Sequence, residues 1–332
     1  MFLNMNLHAR IFLRPALILI LLMGRAFAQQ PAPAASPEPP AGPAGAALPA
    51  EPGEAKAAED EKSLPPTTDP REIVRRSVLT DHHTLEMARH YTFRNRQVIK
   101  HLGKRGEVKS TEIKTFDVNF YYGQEYSRLI EIDDKPVSEK DQKKEDEKLE
   151  KFLAKFRNES ESDRDKRLEK ERKRREQGRA FLQDITNAYD FQLLGEEKVG
   201  GADSYVIEAL PRPDFQPTHP QADMLKKIRG KMWIEKKDYN WVKVEAEATN
   251  TISFGLLLFR IHPGSHFVLE RTLVNNEVWL LKRLDINGGA RIALLKNENV
   301  EQEEVDSDFK KFVTSVRILP GVKEVQPETS PK

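Results

Sequence analysis

The sequence predicts an α+β fold, with a broad, twisted antiparallel sheet packed on helices. Three observations carry this prediction. Gly230 to Leu295 is interrupted at short intervals by turn signals at Lys237–Asn240, Pro263-Gly264, Asn275-Asn276 and Gly288-Gly289. Connections this short join antiparallel neighbours, because parallel neighbours need long crossovers. Within that stretch Trp241 to Ala248 alternates. Val242, Val244, Ala246 and Ala248 point one way and Lys243, Glu245 and Glu247 the other, the pattern of a strand with one buried and one wet face. Finally, Ser138 to Tyr189 is heavily charged and carries its apolar residues at helical spacing, so helices are set into an otherwise strand-rich chain.

The N-terminus has the pattern of an export leader. Arg10 and Arg14 precede an apolar run from Pro15 to Met23, which is shorter than the roughly 20 residues that span a bilayer. Arg25 interrupts that run, and Ala26-Phe27-Ala28 fits a small-x-small cleavage site, so cleavage is expected after Ala28. Losing the leader changes the formal charge from +1 to −2, and the mature protein is expected in the periplasm. Residues 29–69 are rich in proline, alanine and glutamate and are expected to form a disordered linker. One domain is expected over 70–318, with a charged helical insert over 138–189 and a trailing tail at 319–332.

The domain opens with a helix. Asp69 caps it, Pro70 occupies its first position, and Ile73, Val74 and Val78 face inward. Residues 82–90 either continue this helix or lead into a strand. Strands follow over Tyr91–Leu102, Val108–Tyr122 and Tyr126–Ile132. Ser138 and Asp141 mark the start of the insert. Leu149, Phe152, Leu153 and Phe156 make one apolar stripe, and Phe181, Ile185 and Tyr189 make a second. Arg157 to Arg179 between them is almost wholly polar and is expected to be solvated. Phe191–Val199 and Ala202–Leu210 predict a hairpin turned at Gly200-Gly201, and Asp223–Ile228 a short helix. The later strands are expected over Ser253–His262, His266–Val274, Glu277–Ile286, Ala290–Leu295 and Val305–Ile318.

The chemistry is defined mostly by exclusion. The chain has no cysteine, which removes disulfides, thiolate metal sites, cysteine nucleophiles and lipid-modified cysteine. It has no nucleophile elbow, phosphate-binding glycine loop or paired-histidine protease helix, so no enzyme and no cofactor are expected. His83, Glu86 and His90 would share one face of a helix. That spacing arises cheaply, and a solvated or interfacial cluster is expected there in place of a metal. Arg164 to Arg179 is basic, but export argues against nucleic acid, and Glu169, Glu171 and Glu176 interleave with the cations. A solvated helix is expected, with peripheral contact with an anionic membrane surface as the alternative.

The sheet carries the stronger signal. Ser253 to Ile261 is apolar on both faces. A strand of that kind needs two covers, or one cover and one apolar ligand. Met232, Ile234, Val242 and Val244 lie at period-2 spacing on strands that pair through the Lys237–Asn240 turn. They are the candidate lining of an apolar cavity, with Leu256 and Leu258 as extensions whose facing depends on register. The same residues would serve equally in a core filled by the chain's own helices.

An export signal, a helix and long strands, followed by Gly230 to Glu245, the Pro263-Gly264 hairpin and the Asp308 to Phe312 strand, resemble the bacterial outer-membrane lipoprotein-carrier and lipoprotein-sorting superfamily. The likeness covers about Gly195 to Ile318. The charged insert is longer than the small carriers have, and no ligand-contacting residue is matched. The resemblance implies an unclosed half-barrel of about ten or eleven strands wrapped around helices, with an apolar cavity for acyl chains. It implies carriage or sensing of a lipid or lipoprotein. The alternative is a structural or regulatory envelope module that binds a protein partner.

Overall fold

The computed structural model describes residues 65–254, 259–292 and 296–312. The leader, most of the linker, the tail from residue 313, and Leu256 and Leu258 lie outside these residues. The described chain is an α+β structure built on a 13-stranded, unclosed antiparallel sheet. In chain order the elements are α1 (Pro70–Ala88), β1 (Tyr91–Leu102), β2 (Val108–Tyr121), β3 (Gln124–Ile132), β4 (Lys135–Pro136), α2 (Glu139–Arg157) and α3 (Glu161–Ala188). They continue with β5 (Tyr189–Val199), β6 (Ala202–Pro211), a 3-10 helix (Pro220–Lys227), β7 (Ile228–Glu235), β8 (Trp241–Ala248), β9 (Ile252–Phe254), β10 (Phe259–Ile261), β11 (His266–Val274), β12 (Val278–Ile292) and β13 (Lys296–Lys311).

The sheet runs β4-β3-β2-β1-β13-β12-β11-β8-β7-β6-β5, with β10 pairing β12 and β9 off this path. The first long strand therefore pairs with the last. The two terminal strands of the order, β4 and β5, are joined in sequence by α2 and α3. The helix pair thus leads from one end of the sheet to the other.

The local signals act as their chemistry dictates. The Asp69 side chain accepts from the Arg71 N–H at 3.0 Å, capping α1 behind Pro70. Ser138 accepts from the Asp141 N–H at 3.2 Å and starts α2. Asn275 and Asn276 turn β11 into β12 with φ of 52° and 55°, a left-handed pair that asparagine tolerates.

The helical insert divides into two helices, because the chain leaves helical geometry at Asn158 and restarts where Ser160 caps the Asp163 N–H at 3.2 Å. Three expectations are corrected. The strand expected over Ser253–His262 is the short antiparallel pair β9 and β10, with Phe254 opposite Phe259. Gly288-Gly289 makes no turn. β12 runs straight through it, and a Cβ on Gly288 would lie 2.2 Å from Ser265 Oγ, so this glycine serves close approach of another chain segment. Lastly, β13 begins at Lys296, nine residues before the expected strand start at Val305.

The core occupies one side of the sheet. Ile73, Val74 and Val78 of α1 meet Phe181, Leu182 and Ile185 of α3 there, together with Ile207, Ile234, Trp241, Val244 and Phe267 of the sheet. A single helix touching residues of several successive strands requires the sheet to curve around it. Each such side chain, fully buried, contributes about 1.5–3 kcal/mol. α2 packs separately against the β2–β3 end, where the Phe152 and Tyr126 rings lie 4.9 Å apart and the Phe156 and Tyr122 rings 5.3 Å apart.

Candidate functional site

β7 and β8 place three of the predicted residues together. Met232 pairs directly with Val244, so their side chains share a face. Ile234 lies two residues further along β7 on that same face, with Tyr205 and Ile207 of β6 opposite Ile234 and Met232. Val244 in turn faces Leu269 of β11. Met232, Ile234 and Val244 are 7%, 0% and 8% exposed and belong to the core packed with α1.

Val242 departs from the expected set. The β7–β8 register shifts between Trp233 and Ile234, so Trp233 pairs with Lys243 but Ile234 pairs with Trp241. Val242 is the additional residue of this bulge. It is buried, but outside the main core cluster, and Gly200 of the β5–β6 turn lies at its end. Trp241 takes the core-facing place that simple alternation would deny it. Lys243, on the other face, stands over the Trp233 ring at 4.7 Å.

The cover of this apolar surface is α1, which meets it with Ile73, Val74 and Val78 and adds a set of polar contacts. Ser77 Oγ accepts from Trp241 Nε1 at 2.7 Å, and Thr84 Oγ1 donates to Asn240 Oδ1 at 2.8 Å. Arg76 Nη1 donates to Tyr239 Oη at 3.1 Å. Asp81, fully buried, pairs with the buried Arg271 guanidinium, which also stands 5.8 Å from the Trp241 ring. Asp81 Oδ2 has no hydrogen-bond partner among the described residues. Ser77, Asp81 and Thr84 stand at i, i+4 and i+7, one stripe of a helix. Sequence reasoning followed the apolar residues of α1 and missed this stripe. Its signal was the same spacing, in polar residues.

A second buried polar group lies where β1 meets β13. Asn95, Gln97, Gln302, Glu304 and Asp306 are all buried. Asn95 pairs with Asp306, and Gln97 with Glu304. Asn95 Nδ2 donates to Asp306 Oδ1 at 2.6 Å, and Gln302 Nε2 to Glu304 Oε1 at 2.6 Å.

The histidine group does not converge. His83 and Glu86 are on α1, but His90 is in the turn beyond it and sets its ring edge-on to Phe312. Glu86 lies 3.8 Å from Arg175 instead. Among the described residues no three potential ligands are grouped for a metal. The basic stretch is also less solvated than expected. Arg167 holds Glu159 and Glu171 and stands 5.3 Å from the Phe156 ring, so α3 has an inward-facing charged stripe.

No family model and no curated protein matches the sequence. The chain is similar, at low identity, to several solved structures. One is a putative outer membrane lipoprotein-sorting protein domain from Vibrio parahaemolyticus, at 10% identity over 74% of this chain and 95% of that one, with a TM-score of 0.31. A LolA superfamily protein from Nitrosomonas europaea is similar at 12% identity over 70% and 93%, TM-score 0.22. A DUF1329 family protein from Desulfovibrio piger is similar at 12% identity over 77% and 96%, TM-score 0.30. At such scores the architecture rests on the strand order of this chain, not on the likeness.

Proposed function

We propose that the chain is an exported periplasmic binding protein, its leader removed after Ala28, whose domain over 70–318 carries or senses an apolar or acylated envelope ligand such as a lipid or lipoprotein. One observation carries the reading: a contiguous apolar surface through Ile207, Met232, Ile234, Val244 and Leu269 lies under a helix whose apolar contacts are supplemented by hydrogen bonds and by the Asp81–Arg271 ion pair. Hydrogen bonds of this kind contribute only about 0.5–1.5 kcal/mol net, because water replaces them. An acyl chain entering beside α1 would supply the same sheet residues with apolar contact. The work is binding, with no chemical step.

The burial of Met232, Ile234 and Val244 against α1 also favours a second reading, an envelope module with a filled core that binds a protein partner. Val244→Arg separates the two. With a ligand cavity, the arginine head reaches solvent through the opening. The variant then melts within a few degrees of wild type, and a fluorescent fatty acyl probe binds at least tenfold more weakly. With a filled core, an unpaired charge is buried at a cost of several kcal/mol. A wild type that binds no probe, together with a variant that melts far lower, overturns the carrier reading.

A further inference from the structure

The two ends of the sheet are finished differently. At the β3–β4 end, α2 and the residue before its cap close the backbone. The Val137 N–H donates to Ile130 O at 3.0 Å, and Glu145 Oε2 accepts from the Leu129 N–H at 3.4 Å. At the other end β5 is the last strand, and among the described residues no strand pairs with its outer edge. Along it Asp190, Gln192, Leu194, Glu196, Glu197 and Lys198 are exposed. An open edge of this length is a template for another strand.

Two hydrogen bonds fix which backbone groups face outward. The Arg212 N–H donates to Ala188 O at 2.8 Å, and the Lys236 N–H to Asp203 O at 2.9 Å. Given the β5–β6 and β6–β7 registers, antiparallel alternation turns the backbone of Asp190, Gln192, Gly195, Glu197 and Val199 toward β6. Phe191, Leu193, Glu196 and Lys198 then present their N–H and C=O groups to the open edge. Tyr189 also faces outward, but its carbonyl is taken by Arg71 Nη2 at 3.2 Å. The outward period breaks between Leu193 and Glu196 because the β5–β6 register shifts there, with Leu194 as the additional residue.

This break selects the partner. A regular strand presents its outward groups at every second residue. It can match Phe191 and Leu193, or Glu196 and Lys198, but not both pairs across the break. A second β5 running antiparallel has the same break at the same place. With Phe191 against the partner's Lys198, and Leu193 against the partner's Glu196, the reciprocal pairs follow by twofold symmetry. Phe191 and Leu193 pack on the core side, and Glu196 shares that side because it pairs with the core residue Tyr205. The pairs therefore match in face as well as register. Leu194, 44% exposed, comes to lie opposite the partner's Gly195, whose missing side chain leaves room for it. Gln192 meets the partner's Glu197, and no two like charges stand directly opposed. The acids of the edge are also held locally, Glu196 by Lys236 at 2.7 Å and Glu197 by Trp233 Nε1 at 2.8 Å.

We infer that β5 is a homodimer interface, in which two copies of this chain join their sheets through antiparallel β5 strands about a twofold axis at Leu194 and Gly195. The contact is isologous and the β3–β4 end is closed, so assembly stops at two copies. The core sides of the two sheets face the same way, which puts both α1 helices on one side of a continuous sheet. The interface is separate from the apolar surface of β7 and β8, so it stands whether or not an acyl chain binds there.

The test is sedimentation of the full mature chain over a dilution series, in which wild type is expected to dimerise. Lys198→Pro and Glu196→Pro each remove an N–H that the single copy leaves facing solvent, a replacement that edge strands tolerate. Each is expected to weaken dimerisation at least tenfold while the circular dichroism spectrum stays that of wild type. Lys198→Gln keeps the N–H and is expected to dimerise as wild type does. Leu194→Cys gives an independent readout, since the chain has no cysteine of its own. Under a mild oxidant it is expected to form a disulfide-linked dimer on a denaturing gel. Leu273→Cys, at a position 42% exposed on β11, is expected to stay a single chain. The proposal is overturned if wild type sediments as a monomer throughout, if both proline variants dimerise as wild type does, or if Leu273→Cys crosslinks as readily as Leu194→Cys. Should the proline variants fail to fold, the two cysteine variants decide between the same outcomes.

Discussion

The two halves of the sheet interior are built from opposite materials. From β5 to β11 the core-facing residues are mostly apolar, Ile207, Ile234, Val244 and Phe267 among them, with Arg271 as the charged exception, and they close on Ile73, Val74 and Val78 of α1. Where β1 meets β13, the buried residues are Asn95, Gln97, Gln302, Glu304 and Asp306, joined side chain to side chain. Apolar packing is non-directional and tolerates a residue of roughly the right size. A buried polar group tolerates only a partner in the right place, because an unmade bond costs about 1–3 kcal/mol. The first half therefore supplies bulk stability, and the second fixes which strand sits beside which. α1 brings both materials to the first half, with Ile73, Val74 and Val78 in the core and a polar stripe from Ser77 to Thr84 on Asn240, Trp241 and Arg271.

The sharpest way to break this comparison is through the polar seat of α1. Arg271→Ala leaves the fully buried Asp81 without its cation and is expected to cost about 3–5 kcal/mol in urea unfolding. The double variant Asp81→Leu with Arg271→Met removes both charges and is expected to be close to neutral. If Arg271→Ala costs no more than an exposed substitution, the ion pair does not hold the helix.

A smaller effect compares the halves directly. Gln302→Leu takes away the donor to Glu304 Oε1 and is expected to cost about 1–3 kcal/mol. Ile234→Val removes one methylene from the apolar half and is expected to cost about 0.5–1.5 kcal/mol. Equal costs in chemical denaturation would erase the distinction drawn here.

The smallest effect lies at the start of α1. A hydrogen bond from Arg75, helped by Arg76 and opposed by burial, lowers the pKa of Glu72 to about 2 from an ordinary 4.5. A carboxylate with a lowered folded-state pKa stabilises above its unfolded value, and the contribution is lost as pH falls. The loss should run from about pH 4.5 down to about pH 2 and, with Glu72 partly exposed and screened, amount to about 1 kcal/mol. Wild type and Glu72→Gln should therefore converge in stability across that window. Parallel curves would leave the pair without thermodynamic weight.

The features legible in the sequence were local ones. Asp69 and Pro70 announce α1, β1 matches its expected bounds, and Asn275-Asn276 turns where it should, because each signal acts within a few residues. Met232 and Val244 could be placed opposite each other because a short turn joins their strands. The rest depended on distant pairings. Asn95 and Glu304 meet across 209 residues, and nothing near either residue says that β1 will lie beside β13. Val242 was misplaced because strict alternation conceals a bulge. Gly288-Gly289 resembled a turn because a glycine that makes room for Ser265 looks in sequence like one that bends the chain.

The path from β4 to β5 through α2 and α3 has a mechanical consequence. α3 alone has 28 residues, a rod about 42 Å long at 1.5 Å per residue. A helical rod neither stretches nor slackens as a loop of equal length would. The joint between the two rods is three residues, Asn158 to Ser160. The distance between the two ends of the sheet is therefore ruled, like the span of a pair of compasses. Any change in it is a rotation at that joint, and the rods on either side move as whole bodies.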